Sequence, residues 1–306
     1  MNSLLLLALG LVLDAAMGEP RWLWSRMPHP AVLMGRVISM LDHALNHSEM
    51  QRAKGVVALL VLVMLAGIIG WLLQLLGPAV TVISAAILLA QKSLVDHVGA
   101  VAAGLRQSEE AGRKAVAMIV SRDVSASDSA ATSRSAIESL SENFSDGVIA
   151  PAFWFAIAGL PGIAIYKAVN TADSMIGYRT PRYAAFGWAA ARFDDVLNWV
   201  PARLTAALIA MAGRSSGTWR RVQQDARLHR SPNAGWPEAA MAHTLNIALA
   251  GPRSYHGEVQ DLAWVNGAGR RTLAPTDIDA AIAIVWKAWG LALALCAAIG
   301  GLVWVF

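Results

Sequence analysis

The run GVVALLVLVMLAGIIGWLLQLL, Gly55 to Leu76, decides the fold: it carries no charge and one amide, Gln74, and exceeds the roughly 20 apolar residues that cross a hydrocarbon core. It predicts a transmembrane helix, because backbone polar groups in lipid have to be satisfied inside the segment. Gly77-Pro78 then turns the chain, and 78–96 reads as the returning arm of a hairpin that extends helically past Lys92. The stretch 280–306, interrupted by Lys287 and closed by Trp304, predicts another span, and residues 4–17 a shorter one. Residues 4–17 have no basic residue ahead of them and no clean small-x-small cleavage site, so they read as a retained anchor rather than a removed signal peptide.

Composition agrees. Of 306 residues, 56% are hydrophobic and 15% charged, with a mean hydropathy of +0.47, whereas soluble domains average roughly 25% charged. The expected fold is an all-α integral membrane protein, a single polytopic domain over 1–306 with about four transmembrane helices, a re-entrant hairpin and cytosolic amphipathic helices. The single cysteine, Cys296, excludes a disulfide framework within one chain and a cysteine zinc site. A net charge of +4 comes from scattered arginines, not basic runs, so no nucleic-acid partner is expected and the positive-inside bias explains the excess. With the N-terminus outside, loops 18–54 and 97–279 fall in the cytosol, which places the site on the cytosolic face of the inner membrane.

The apolar stretch Val148 to Val169 is broken at Gly159-Leu160-Pro161-Gly162, a turn signal that leaves two arms of about eleven residues, each too short to cross. A re-entrant hairpin, or helices buried beneath the other spans, is favoured over a crossing. Between His97 and Ser145 helical spacing predicts amphipathic helices interrupted at Ser121-Arg122-Asp123-Val124-Ser125, and 231–269 reads as a loop-rich cap with short helices.

Polar clusters beside apolar helix are where function is expected, since unpaired charge is expensive there. In ESLSENFSDG, Glu138, Glu142 and Ser145 or Asp146 share a helical face, which suits Mg²⁺ with a phosphate. A solvated, arginine-paired helix surface is the plainer alternative. Asn170, Asp173 and Ser174 form a polar stripe on an otherwise apolar helix; a cap would explain one of them. In RFDDVLNW, Asp194 and Asn198 share a face, while adjacent Asp194 and Asp195 point about 100° apart, so one carboxylate is free for metal and the other for Arg192 or Arg203. SPNAGWP, Ser231 to Pro237, is a structured turn into a helix near Glu238, and helix N-termini attract anions. Lone His29, His229 and His243 read as structural. The inventory fits a site handling phosphates and carboxylates with Mg²⁺ and arginine clamps.

Read together and in order, these runs resemble the CobD/CbiB family of adenosylcobinamide-phosphate synthases of cobalamin biosynthesis. The matching stretches are Pro28-His29-Pro30 with Gly35-Arg36, ESLSENFSDGVIAPAFW from Glu138, AVNTADSMIGYR from Ala168, FGWAAARFDDVLNWVPARLTA from Phe186 and SPNAGWPEAAMA from Ser231. The chain departs from the pattern at His243-Thr-Leu-Asn246, a stretch usually richer in glycine. The resemblance implies an ATP- and Mg²⁺-dependent ligase joining adenosylcobyric acid to (R)-1-amino-2-propanol or its O-phosphate, by way of an acyl phosphate. It implies Glu142, Asp146, Asp194 and Asp195 as catalytic, with Asp194, Asp195 and Asp225 on the metal. Arg179, Arg182, Arg192 and Arg227 would clamp phosphates, and Asn143, Asn170, Asp173, Ser231, Asn233 and Glu238 would position substrate. Trp154, Trp188 and Trp236 would pack on the corrin, Trp22, Trp24 and Trp304 forming an interfacial belt. The lipid bilayer and other cobalamin-biosynthesis enzymes are the expected partners; a transporter, or a scaffold for corrinoid-handling enzymes, is the rival reading.

Overall fold

The computed structural model describes residues 2–47, 49–120, 122–255, 258–260 and 262–305. In chain order the helices are α1 (Ser3–Met17), α2 (Arg21–Trp24), α3 (Pro30–Leu45), α4 (Gln51–Leu75), α5 (Pro78–Leu88), α6 (Gln91–Gln107), α7 (Glu109–Val116), α8 (Ser129–Phe144), α9 (Ala150–Ile176), α10 (Trp188–Leu197), α11 (Trp199–Ala212), α12 (Trp219–Ala226), α13 (Gly235–Leu245) and α14 (Pro275–Val305). Two small antiparallel ribbons, β1 (Leu249–Ala250) with β4 (Trp264–Val265) and β2 (Arg253–Tyr255) with β3 (Glu258–Gln260), lie in the stretch expected to be loop-rich. Four helical stretches are long and apolar enough to cross a membrane: Gln51–Leu75, Pro78–Gln107, Ser129–Ile176 and Pro275–Trp304. The protein is an all-α membrane protein, and its contacts separate it into two compact units.

The first unit comprises Met1–Gln91, Ala150–Asn198 and Cys296–Phe306. The 25 residues of α4 would extend roughly 37 Å at 1.5 Å each. Small residues on its inner face, Ala58, Ala66 and Gly70, admit close packing by α9. A Cβ at Gly70 would come within 2.7 Å of the Leu160 carbonyl oxygen. The returning arm is interrupted once: α5 ends at Leu88, Leu89 is extended, and helix resumes at Gln91, whose backbone N–H is capped by the buried Asp14 carboxylate at 2.8 Å.

Within α9 the chain reverses. Ala158 and Gly159 leave helical geometry, Gly159 with φ +62°, and a Cβ on Gly162 would lie 2.2 Å from the Trp154 carbonyl oxygen. In a straight helix residues eight apart are separated by roughly 12 Å, so the two arms form a helical hairpin. Its turn begins one residue before the Gly-Leu-Pro-Gly signal. The Gln74 amide oxygen caps it, accepting the Leu160 N–H at 2.9 Å.

The second unit comprises Lys92–Ile149 and Trp199–Leu295. Its core gathers α8, α11 and α13 with buried Ile137, Leu140, Ile209 and Met241. Helix α8 starts at Asp128, whose carboxylate accepts the Ala131 N–H, and passes into a π-helical turn at Ser145–Ile149. The expected interruption near Ser121 falls between α7 and α8. Asn246 ends α13 in the left-handed conformation, φ +52°. The His243-Thr-Leu-Asn246 stretch thus places at a glycine-favouring position the non-glycine residue that tolerates it best.

Candidate functional site

The predicted residues gather into two clusters, one in each unit. In the first unit α9 and α10 pack together and put the polar stripe of α9 against the paired aspartates. Asp194 is buried and receives two amides: Asn198 Nδ2 donates to Oδ2 at 3.0 Å and Asn170 Nδ2 to Oδ1 at 3.3 Å. The Tyr166 hydroxyl in turn donates to Asn198 Oδ1 at 2.9 Å, which orients that amide with its N–H toward the carboxylate. Burial, and then the charge of Asp173, push the Asp194 carboxyl up to about 7 despite those two donors. Asp195 points away toward Arg192, 3.8 Å distant. Burial raises its carboxyl, and the positive charges of Arg192 and Arg179 offset part of the rise. The expectation that Asp194 and Asn198 share a face holds here, as does the pairing of one aspartate with Arg192. Ser174 is occupied locally, donating to the Asn170 carbonyl.

In the second unit the Arg122 guanidinium reaches over α8, donating to Glu138 Oε2 at 2.8 Å and Ser135 Oγ at 2.6 Å; Glu138 Oε1 accepts the Ala250 N–H at 2.7 Å. Glu138 is buried and the Arg122 side chain only 12% exposed, a setting in which a charge survives only with near-complete hydrogen bonding. The pair forms part of the wall of a polar cavity of about 240 Å³, where Glu142 and Asn143 of α8 meet His229 and the buried Glu238 of α13. Glu238 sits in the first turn of its helix, where the dipole favours a carboxylate. His229 Nδ1 accepts the Ser231 N–H at 3.0 Å, so the neutral ring carries its proton on Nε2, 3.8 Å from Glu238. Asp146 stands in the π-helical turn that follows α8 and is not among the residues lining this cavity.

Other predicted residues have structural partners. Asp225 Oδ2 accepts from the Asn266 N–H and bonds His243 Nε2, both at 2.8 Å. Arg182 donates to the buried Asp42 at 2.6 Å, and Asn46 holds the second oxygen of that carboxylate. Ser231 closes its turn by accepting the N–H groups of Asn233 and Ala234. Asn233 accepts from Arg203, whose guanidinium is stacked between Trp199 and Trp236. Trp154 donates to the Leu197 carbonyl and Trp188 lies under Arg52. Arg227 is exposed at the end of α12. Arg122, His229 and Tyr166 were missed as site residues. Arg122 gave its position away only as a break in helical spacing, and Tyr166 as a lone hydroxyl in an apolar run.

A helical membrane protein with two oxygen-rich polar clusters beside apolar helix is the class that fold and site define. The chain matches the CobD/Cbib protein family model over residues 7–285 and belongs to that family. It is 49% identical over 304 residues to the Cobalamin biosynthesis protein CobD of Rhizobium meliloti, covering 93% of each chain. The protein of the same name from Brucella suis is 48% identical over 308 residues and that from Rhodobacter capsulatus 43% over 297, each covering 94% of both chains. No solved structure matches.

Proposed function

We propose that this protein takes part in cobalamin biosynthesis as an ATP-dependent ligase. It joins adenosylcobyric acid to (R)-1-amino-2-propanol or its O-phosphate through an amide, at the cytosolic face of the inner membrane. Membership of a family of cobalamin biosynthesis proteins supports the corrinoid substrate. The observation that carries the reading is Asp194, a buried carboxylate fixed by two amides and flanked by Asp173, Asp195 and two arginines. Such oxygen donors suit Mg²⁺, which takes one or two carboxylates together with substrate phosphates and waters. Among the described residues no three acidic, histidine or cysteine side chains form a closed metal cage, which is compatible with a cation that arrives with its nucleotide.

Of the two expected carboxylate ligands, Asp194 would hold Mg²⁺, which would offset the charge of the transferring phosphoryl group, while Asp195 pairs with Arg192. Arg192 and Arg179, beside Asp195, would meet the outer phosphate oxygens. The substrate carboxylate displaces ADP from the γ-phosphorus of ATP to give an acyl phosphate. The amine then attacks the acyl carbon, phosphate leaves, and the amine proton passes to a carboxylate. In the second unit, the acidic cavity lined by Glu142 and Glu238 would hold a cationic amine.

Purified protein in detergent, given Mg²⁺, ATP, adenosylcobyric acid and aminopropanol phosphate, should hydrolyse ATP only when both organic substrates are present. Mass spectrometry should show the corrinoid heavier by one amide-linked aminopropanol phosphate. Folded protein that binds the corrinoid yet leaves ATP untouched would refute the ligase.

A further inference from the structure

A cavity of about 340 Å³ lies within the first unit, between the end of α1, the short α2 and α5, walled by Leu13, Met17, Trp22, Trp24, Ile83 and Ala86. Of its polar side chains, Glu19 is exposed to solvent and the others are largely committed elsewhere. Asp14 caps Gln91 at 2.8 Å. His29 Nδ1 accepts the Ala31 N–H at 3.2 Å, and burial keeps the imidazole below its ordinary pKa and therefore neutral. One donor is left over. The buried indole N–H of Trp24 has no acceptor among the described residues, its ring held edge-on against His29 at 4.6 Å.

The cavity opens onto exposed apolar surface. Met17, Trp22 and Ile83 at its rim are 56%, 62% and 51% exposed, and the apolar face of α1 continues outward through exposed Val12 and Leu9. Water is a poor occupant, since an ordered molecule needs two to four polar partners. A nucleotide or an amide-bearing ring would leave its polar groups unpaired against these walls. An apolar chain carrying one acceptor near its polar end matches both features.

We infer that this cavity holds one acyl chain of a bilayer glycerophospholipid, whose ester carbonyl accepts the Trp24 indole N–H. The chain fills the space between α1, α2 and α5 and fastens α2 to α1 and α5. This site is separate from the two polar clusters and does not depend on the ligase reading.

The test uses the full-length protein purified in detergent and exhaustively exchanged, with retained lipid measured per chain by mass spectrometry. Wild-type protein should keep a phospholipid that Ala86→Phe, which fills the space, releases. Dioleoyl phosphatidylethanolamine added back to stripped protein should bind Trp24→Phe about tenfold more weakly than wild type, since an aromatic ring remains while the N–H donor is lost. Should Ala86→Phe fail to fold, the Trp24→Phe comparison decides alone. Equal lipid retention in wild type and folded Ala86→Phe, equal affinity of Trp24→Phe, or a quinone or corrinoid found in place of phospholipid would each overturn the assignment.

Discussion

The side-chain oxygen of Gln74, at the end of α4, accepts the backbone N–H of Leu160 just past the reversal in α9. Both groups are partly buried, and that N–H stands at a helix start, where intrahelical acceptors are missing. Gln74→Leu removes the acceptor and should lower stability by about 1–3 kcal/mol. Gly159→Ala should act in the same direction, because Gly159 has φ +62° and a Cβ there would lie 2.2 Å from the same amide oxygen. Thermal unfolding in detergent checks both; unchanged midpoints would show that the turn does not depend on this cap.

The largely buried Arg122–Glu138 pair supports the polar cavity of the second unit. Removing one partner leaves a buried charge, so Arg122→Met or Glu138→Leu alone should cost about 3–5 kcal/mol. The double substitution should recover much of that loss. A double-mutant cycle by denaturant unfolding tests it, and additive losses would mean the two side chains do not interact.

Asp194 makes stability depend on pH in a definite direction. Its carboxyl is raised to about 7 from an unfolded value of 3.8, so between these values the unfolded chain gives up a proton that the folded chain keeps. The stability is fully present below pH 3.8 and is lost as pH rises through 7, on the order of 4 kcal/mol in all. Protein without Mg²⁺ should therefore melt at a higher temperature at pH 6 than at pH 8. Asp194→Asn should flatten this dependence, and Mg²⁺ with nucleotide should raise the midpoint chiefly at pH 8. A wild-type midpoint that is no lower at pH 8 contradicts the assignment.

Arg182 was expected at a phosphate, yet it holds the buried carboxylate of Asp42. Arg182→Ala should lower the melting midpoint, because Asp42 loses its guanidinium partner, while leaving the KM for ATP nearly unchanged. A large rise in KM with an intact midpoint would return Arg182 to the nucleotide.

Local rules made much of this protein legible. The charge-free run through Gly55–Leu76 named a span, Gly159-Leu160-Pro161-Gly162 named a reversal, and the four-residue spacing of Asp194 and Asn198 put them in contact. Each depends on helical periodicity or turn chemistry within a few residues. Spacing gave no warning of the π-turn at Ser145–Ile149 or of the short break after Leu88 between α5 and α6.

The sequence by itself determined a membrane protein of apolar helices, which polar groups sit beside them, and the family. Tertiary structure alone decided which polar groups meet. Asp42 and Arg182 are 140 residues apart in the chain and Glu138 and the Ala250 N–H 112 apart. Such pairings have no periodicity to announce them: any arginine offers the same fork to any carboxylate. What selects the partner is which helix faces close on each other once the apolar stripes are buried.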